Sequence, residues 1–434
     1  MAEITQRFCS FLSSARFDHL PPPAIHNARR GILDWCGCAL GGSPHAEARE
    51  LADILAATAS GDSPLLGAKR SLGAIDAAVA NGFAAHVLDF DDTRGTAPIV
   101  AAAFAIMARG GVHGRDLLTA YAAGIETIAR IAAVIPDHHR RGWHPIGTLG
   151  ALGAAVAAGK LLNLSSVQFE NALGIAATQA AGLQQNRGTP CKPLHAGKAA
   201  GNGLLAALLA QKGFDSTDGI LESERGFFHV YGERVDLARL NAGLGEDWAV
   251  TRNVYKPYAC GLVLHPVIDA MLALRPQGRA TADITAIVLR CHPLVATVGG
   301  SRLPETGAEA KFSAAHIAAA ALIDGQIGLA QFTDARVQDP AIRALRRKVT
   351  VTTDETLRSD QAVATIAVGE RRHTATIEAA TGSPGNPMSD AALMEKFTAN
   401  AAPVIGAEKT RQAGALIMRI EQLADTRDLV RLCC

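Results

Sequence analysis

The stretch GAIDAAVANGFAAHVL, residues 73–88, runs directly into DFDDT, residues 89–93. The first part reads as a strong helix of small apolar residues. The second is a polar cluster delivered at its end. Helical readings extend outward in both directions. Before it, residues 24–40 carry Ile25, Ala28, Ile32, Trp35 and Leu40 at helical spacing after a proline-rich start, and Gly41-Gly42 stops them. Residues 45–57 predict a second helix, and 58–72 a loop. After it, Ala-rich segments predict helices near 97–110, 114–134, 147–162, 167–183 and 195–212. Almost nothing before residue 245 alternates with period two, so this part is expected to be all-α.

The pattern changes after about residue 280. ITAIVLRC (284–291), KVTVTT (348–353), AVATIAV (362–368) and HTATIEA (373–379) read as strands, with helices near 310–324 and 339–347 between them. The tail, 390–426, returns to helix. The expected fold is mostly α, a large all-helical domain with an inserted smaller α+β lid domain. The expected boundaries are 1–265 for the first helical part, 266–385 for the lid and 386–434 for the helical return.

Composition narrows the function. Forty-two Lys and Arg against 41 Asp and Glu leave a net charge of +1 and no basic stripe, so nucleic acid is not an expected partner. A small polyanion needs only a local cluster and stays open. The eight cysteines are scattered and form no CxxC pair, which reads as reduced thiols in a cytoplasmic protein. The N-terminus lacks an apolar signal core, and the longest apolar run, near 98–108, falls short of the roughly 20 residues a spanning helix needs, so no membrane association is expected. There is no phosphate loop, dinucleotide fingerprint, HExxH or GxSxG elbow, and the adjacent His138 and His139 do not make a metal site.

Four segments can carry chemistry. HVLDFDDT (86–93) puts three carboxylates in four positions at the negative end of a helix, which is costly unless they are solvated, paired or in use. The alternative reading is a cap-and-turn cluster. Trp143-His144-Pro145 sets a histidine at a helix start, where the positive dipole end disfavours its charged form and suits a neutral base. The alternative is a buried, hydrogen-bonded histidine. RGTPCKPLHAGK (187–198) gathers Arg187, Lys192 and His195 before a helix and reads as an anion pocket, or else as a solvated basic loop. YKPYACG (255–261) puts Lys256 and Tyr258 where helices give way to strands, and interdomain clefts favour ligands. Lys256 is a candidate carboxylate clamp, or else a surface lysine.

Taken in order, NGFAAHVLDFDDT (81–93), WHPIGTLGALGAAVAAGKLL (143–162), KPLHAGKAAGNG (192–203), YKPYACGLVLHPVIDA (255–270) and AKFSAAHIAAAALIDG (310–325) resemble the MmgE/PrpD family of 2-methylcitrate dehydratases and cis-aconitate decarboxylases across essentially the whole chain. The resemblance implies a helical domain plus an α+β lid, a homodimer, a cleft between the domains and no cofactor. It puts catalytic roles on Asp89, Thr93, His144 and Lys192. Two positions depart from the family pattern. Ala97 stands where a histidine is expected, and His316 stands where the lid offers a tyrosine, so His316 is the candidate to take that acid role.

The combined reading is a cofactor-independent enzyme that moves a proton beside a carboxylate of a small polycarboxylic acid. Catalytic residues are Asp89, Thr93, His144, Lys192 and His316, and Arg187, Lys256, His195 and Tyr258 bind substrate. Family frequency puts a 2-methylcitrate dehydratase-like hydro-lyase first. Epimerisation of a dicarboxylate of the iminodisuccinate type and cis-aconitate-type decarboxylation are the alternatives. A ligand-binding relative without turnover is the reading from another class.

Overall fold

The computed structural model describes residues 3–58, 60–275, 281–299 and 303–434. It is mostly α, with one four-stranded sheet in its later part. The helices that shape the site are α1 (Pro22–Gly42), α2 (Ala74–Val87), α3 (Thr96–Met107), α4 (Gly114–Val134), α5 (Pro145–Leu161) and α6 (Cys191–Gln211). All but α1 and α4 are apolar almost all round, which is the pattern of helices buried within a core. Helix α4 is long and apolar enough to cross a membrane, but 83% of its most apolar stretch is buried among its neighbours.

Small residues let these helices approach backbone to backbone. A Cβ at Gly197 of α6 would lie 2.5 Å from the Val79 carbonyl oxygen of α2, and one at Gly147 of α5 would lie 2.3 Å from the Ala181 carbonyl oxygen. Glycine is therefore required where α6 crosses α2 and where α5 begins. The close crossing sets the end of α2, which delivers Asp89, beside the start of α6, which carries Lys192.

Helix α6 begins at Cys191, four residues earlier than its apolar spacing suggests. The basic segment is therefore partly helical, with Lys192 in the first turn. Pro193 is tolerated there because first-turn amides have no intrahelical acceptor to lose. The helix expected over 167–183 ends at Ala177, and the loop before α2 contains a two-residue antiparallel pairing of Ser63–Pro64 with Ser71–Leu72.

The later part holds β1 (Ile284–Cys291), α7 (Ala314–Asp324), β2 (Val349–Thr353), β3 (Ala362–Val368) and β4 (Arg371–Ile377). The strand order is β2-β1-β3-β4. β1 pairs in parallel with β2 and antiparallel with β3, Ile287 facing Ile366. Ile287, Leu289, Ala364 and Ile366 turn inward onto Met271, Ile317 and Ala321. Cys38, Leu88 and Phe90 of the helical part join this second core, so the chain around Asp89 touches both cores. Helix α8 (Asp390–Ile405) then returns and packs against α1.

Candidate active site

The three carboxylates of the DFDDT segment go to three places. Asp89 closes α2 in the left-handed conformation, with φ of 53° and its amide bonded to the His86 carbonyl at 3.0 Å. Few non-glycine residues sit there, and Asp is among the better tolerated. The turn sends the Asp89 side chain into a cleft of about 710 Å³ between the helical part and the residues 306–334. Asp91 turns inward and takes the Nδ1 of His86 at 2.8 Å. Asp92 accepts from the amides of Arg94 and Thr96, the Thr96 hydroxyl and Asn253, which fixes the turn into α3.

Asp89 is buried, and two ammonium groups hold it. Lys192 Nζ reaches Oδ2 at 2.9 Å, and Lys256 Nζ reaches Oδ1 at 2.5 Å and the Asp89 carbonyl at 3.0 Å. Burial would raise the Asp89 carboxyl, but Lys192 and Lys256 outweigh it and hold it well below the usual carboxylate range. Burial lowers Lys192, which Asp89 only partly offsets; Lys256 is raised because Asp89 and Asp91 overcome its burial.

A third ammonium group faces the same cleft. Lys311, from the segment that precedes α7, donates to the carbonyls of Leu88 at 2.7 Å and Val87 at 3.4 Å, at the C-terminal end of α2. It has no carboxylate partner among the described residues, and burial pushes it down to about 8. Three lysines therefore gather around Asp89, two of them lining the cleft; of its other acids, Glu47 pairs with His45 and Asp334 accepts the Gly307 amide.

Histidines form the neighbouring wall. His144 caps α5 from its N-terminal side, and its ring centroid lies 5.7 Å from that of His86. Its Nδ1 is 3.0 Å from Nδ1 of His195, half-buried in the second turn of α6. Burial holds His144 well below the usual histidine range, reinforced by Lys192, His86 and His195, so it is neutral near pH 7.

Asp89, His144, Lys192, Lys256 and His195 are thus brought together. Thr93 lies in the following turn, its amide donating to the Val254 carbonyl at 3.3 Å. Arg187 flanks the site on the loop before α6, where its guanidinium donates to Gln184 Oε1 at 2.6 Å and lies 3.2 Å from His139 Nε2. Ala97, in the first turn of α3, is wholly buried, and its carbonyl accepts the Trp35 indole N–H.

Two expected site residues stand elsewhere. His316 is wholly buried under α7, with Nε2 2.8 Å from the Gln331 carbonyl and its ring against Phe332. Ser313 caps α7 by accepting the His316 amide, which directs this third position inward. The Tyr258 hydroxyl donates to Asp269 at 2.6 Å, and its ring meets His265 edge-on at 5.3 Å, so it is committed to packing around residues 258–269. Sequence reasoning missed the role of Lys311, although AKFS was in view, and of the His86–Asp91 pair, whose only signal was the spacing HxxDxD.

Residues 6–239 match the MmgE/PrpD N-terminal domain, and residues 258–422 match the MmgE/PrpD C-terminal domain. The chain is similar to the cis-aconitate decarboxylase of Aspergillus terreus, with 29% identity over 99% of this chain and 95% of that protein. It is also 29% identical to the cis-aconitate decarboxylases of Mus musculus, over 100% of this chain and 93% of that one, and of Homo sapiens, over 100% and 95%.

Proposed function

The chain belongs to the MmgE/PrpD family, and from that premise we propose that it is a lyase acting on a small polycarboxylic acid, by proton transfer at a carbon beside a carboxylate. The observation that carries this reading is the gathering of three ammonium groups at Asp89, with Lys192 and Lys311 lining the cleft and Lys256 behind the carboxylate. That excess of positive charge, buried and fixed in place, suits a ligand with two or more carboxylates. Lys192 and Lys311 line the cleft and seat them, while Lys256 anchors Asp89 from behind.

The same ammonium groups stabilise the negative charge that develops when a carbon next to a carboxylate loses a proton or a carboxyl group. Asp89, held ionised by two lysines, is a poor proton acceptor and serves as their anchor. His144 is neutral and can take a proton. Proton transfer and charge stabilisation are all the chemistry asked for, and side chains supply both.

The names of the similar proteins favour a cis-aconitate-like tricarboxylate and decarboxylation. In that reaction the bond to one carboxyl group breaks, carbon dioxide leaves, and the electron pair left behind takes up a proton. The neutral His144 favours a second reading, dehydration of a hydroxytricarboxylate of the 2-methylcitrate type, in which His144 removes a C–H proton before the hydroxyl departs as water. Proton and carbon NMR in heavy water, with cis-aconitate and 2-methylcitrate as separate substrates, tests both. Decarboxylation gives carbon dioxide and one new C–D bond; dehydration gives an alkene without loss of carbon. Neither turnover nor deuterium exchange with either acid would end the lyase reading.

A further inference from the structure

His86 lines the cleft at the last turn of α2 and is 4% exposed. Its Nδ1 lies 2.8 and 2.9 Å from the two oxygens of Asp91, itself 1% exposed. A carboxylate only accepts, so this pairing puts a hydrogen on Nδ1 and leaves Nε2 as the ring nitrogen able to exchange a proton. That Nε2 is buried and has no hydrogen-bond partner among the described residues. Buried His265 and His316 also leave ring nitrogens without a hydrogen-bond partner among the described residues, but of the three only His86 lines the cleft. His86 satisfies one nitrogen, and its ring lines the cleft with Asp89 and Lys192 while Nε2 lies just beneath that surface.

We infer that His86, oriented by Asp91, is a second acid–base residue of this cleft, working beside His144 on the proton exchanged with substrate. The arrangement is that of an imidazole whose tautomer is fixed by a buried carboxylate so that the far nitrogen does the chemistry. The inference rests on the lyase reading and assigns its missing proton donor. In decarboxylation, protonated His86 gives its Nε2 hydrogen to the carbon that has just lost carbon dioxide. The N–H bond breaks, the electron pair from the broken C–C bond forms the new C–H bond, and neutral His86 recovers a proton from water. In dehydration, the same hydrogen goes to the departing hydroxyl, which leaves as water while His144 holds the proton taken from carbon. Asp91 is a positioning residue in either case.

The test compares wild type, His86→Gln and Asp91→Asn with cis-aconitate and 2-methylcitrate in heavy water, alongside circular dichroism and thermal unfolding. The expected result is a kcat lower by about 10²- to 10⁴-fold in His86→Gln, with KM within a few-fold. Asp91→Asn should also lower kcat at nearly unchanged KM, because an amide no longer fixes the Nδ1–H tautomer. Wild-type turnover with His86→Gln folded and within about threefold of its kcat overturns the assignment and leaves the lyase reading intact. An inert wild type overturns both. Should His86→Gln fail to fold, ¹⁵N-histidine NMR of wild type decides. One ring with a hydrogen on Nδ1 must show its Nε2 signal move when propane-1,2,3-tricarboxylate is added, and no such movement overturns the inference.

Discussion

His144 Nδ1 lies 3.0 Å from His195 Nδ1, so one ring must donate and the other accept along that line. The two cannot both carry a hydrogen there. His195 also adds to the positive surroundings that, after burial and Lys192, keep His144 neutral. Burial lowers His195 too, so it carries charge only as pH falls; replacing it with Phe removes that repulsion, and the His144 pKa should rise. Activity that needs neutral His144 is lost as pH falls through that pKa. The acid limb of the kcat/KM profile should therefore move to higher pH, by up to about one unit. A limb that stays put or moves down would show that His195 does not tune His144.

Lys311 joins the later part of the chain to the end of α2 through the Leu88 carbonyl at 2.7 Å. If it also seats a substrate carboxylate, Lys311→Met should raise KM about ten- to a hundredfold with a smaller change in kcat, and Lys311→Arg should recover part of the loss. Burial puts its pKa at about 8, with Asp89 nearby raising it and Lys192 and Lys256 lowering it. The ammonium is present below that pH and lost above it. Wild-type KM should therefore climb as pH passes about 8, and the Lys311→Met variant should not show that climb.

His316→Gln and Tyr258→Phe test the two residues that the fold takes away from the cleft. His316 spends Nε2 on the Gln331 carbonyl, and Tyr258 spends its hydroxyl on Asp269. Both variants should keep kcat/KM within about threefold of wild type. Tyr258→Phe should cost about 1–3 kcal/mol in urea unfolding, because Asp269 Oδ1 loses a partner in a part-buried setting. A hundredfold drop in kcat/KM for either variant would return it to the site.

The course of α2 was legible because its residues are uniformly small and apolar up to the three acids, whereas the roles of Asp89, His144 and Lys192 came from the family resemblance. The parting of those acids was not legible, since it follows from the positive φ at Asp89, a choice set by surrounding packing. The same holds for the lysines. Lys192 looked like part of a loop because Pro190 and Pro193 interrupt the helical pattern, yet Pro190 sits at the N-cap and Pro193 fits the first turn. Lys311 points at α2 only because the later core docks against Leu88 and Phe90, a contact between residues more than 220 positions apart. His316 failed in the opposite sense. The family motif placed it at a site position, but its ring is wholly buried and spends Nε2 on the Gln331 carbonyl.

Lys396 of α8 ties the tail to the active-site turn. Its Nζ donates at 2.6 Å to Asp34 on α1 and at 2.6 Å to the Phe90 carbonyl, and it lies 4.0 Å over the Phe90 ring. Asp34 and Lys396 are both buried, so removing the ammonium leaves a carboxylate without its counter-ion, which costs about 3–5 kcal/mol for such pairs. Lys396→Met keeps the chain length and should lower the urea midpoint accordingly. Burial already raises Asp34 to about 6, even with Lys396 opposing it. Without Lys396 it should rise further and be neutral at pH 7. Part of the loss should then be recovered in the double variant Asp34→Asn, Lys396→Met, which avoids the cost of protonating Asp34 at pH 7. The Phe90 carbonyl stays unpaired in both variants, so the turn next to Asp89 loosens and kcat should remain depressed even where stability returns. Full recovery of kcat with stability would show that the tail supports the fold alone and not the placement of Asp89.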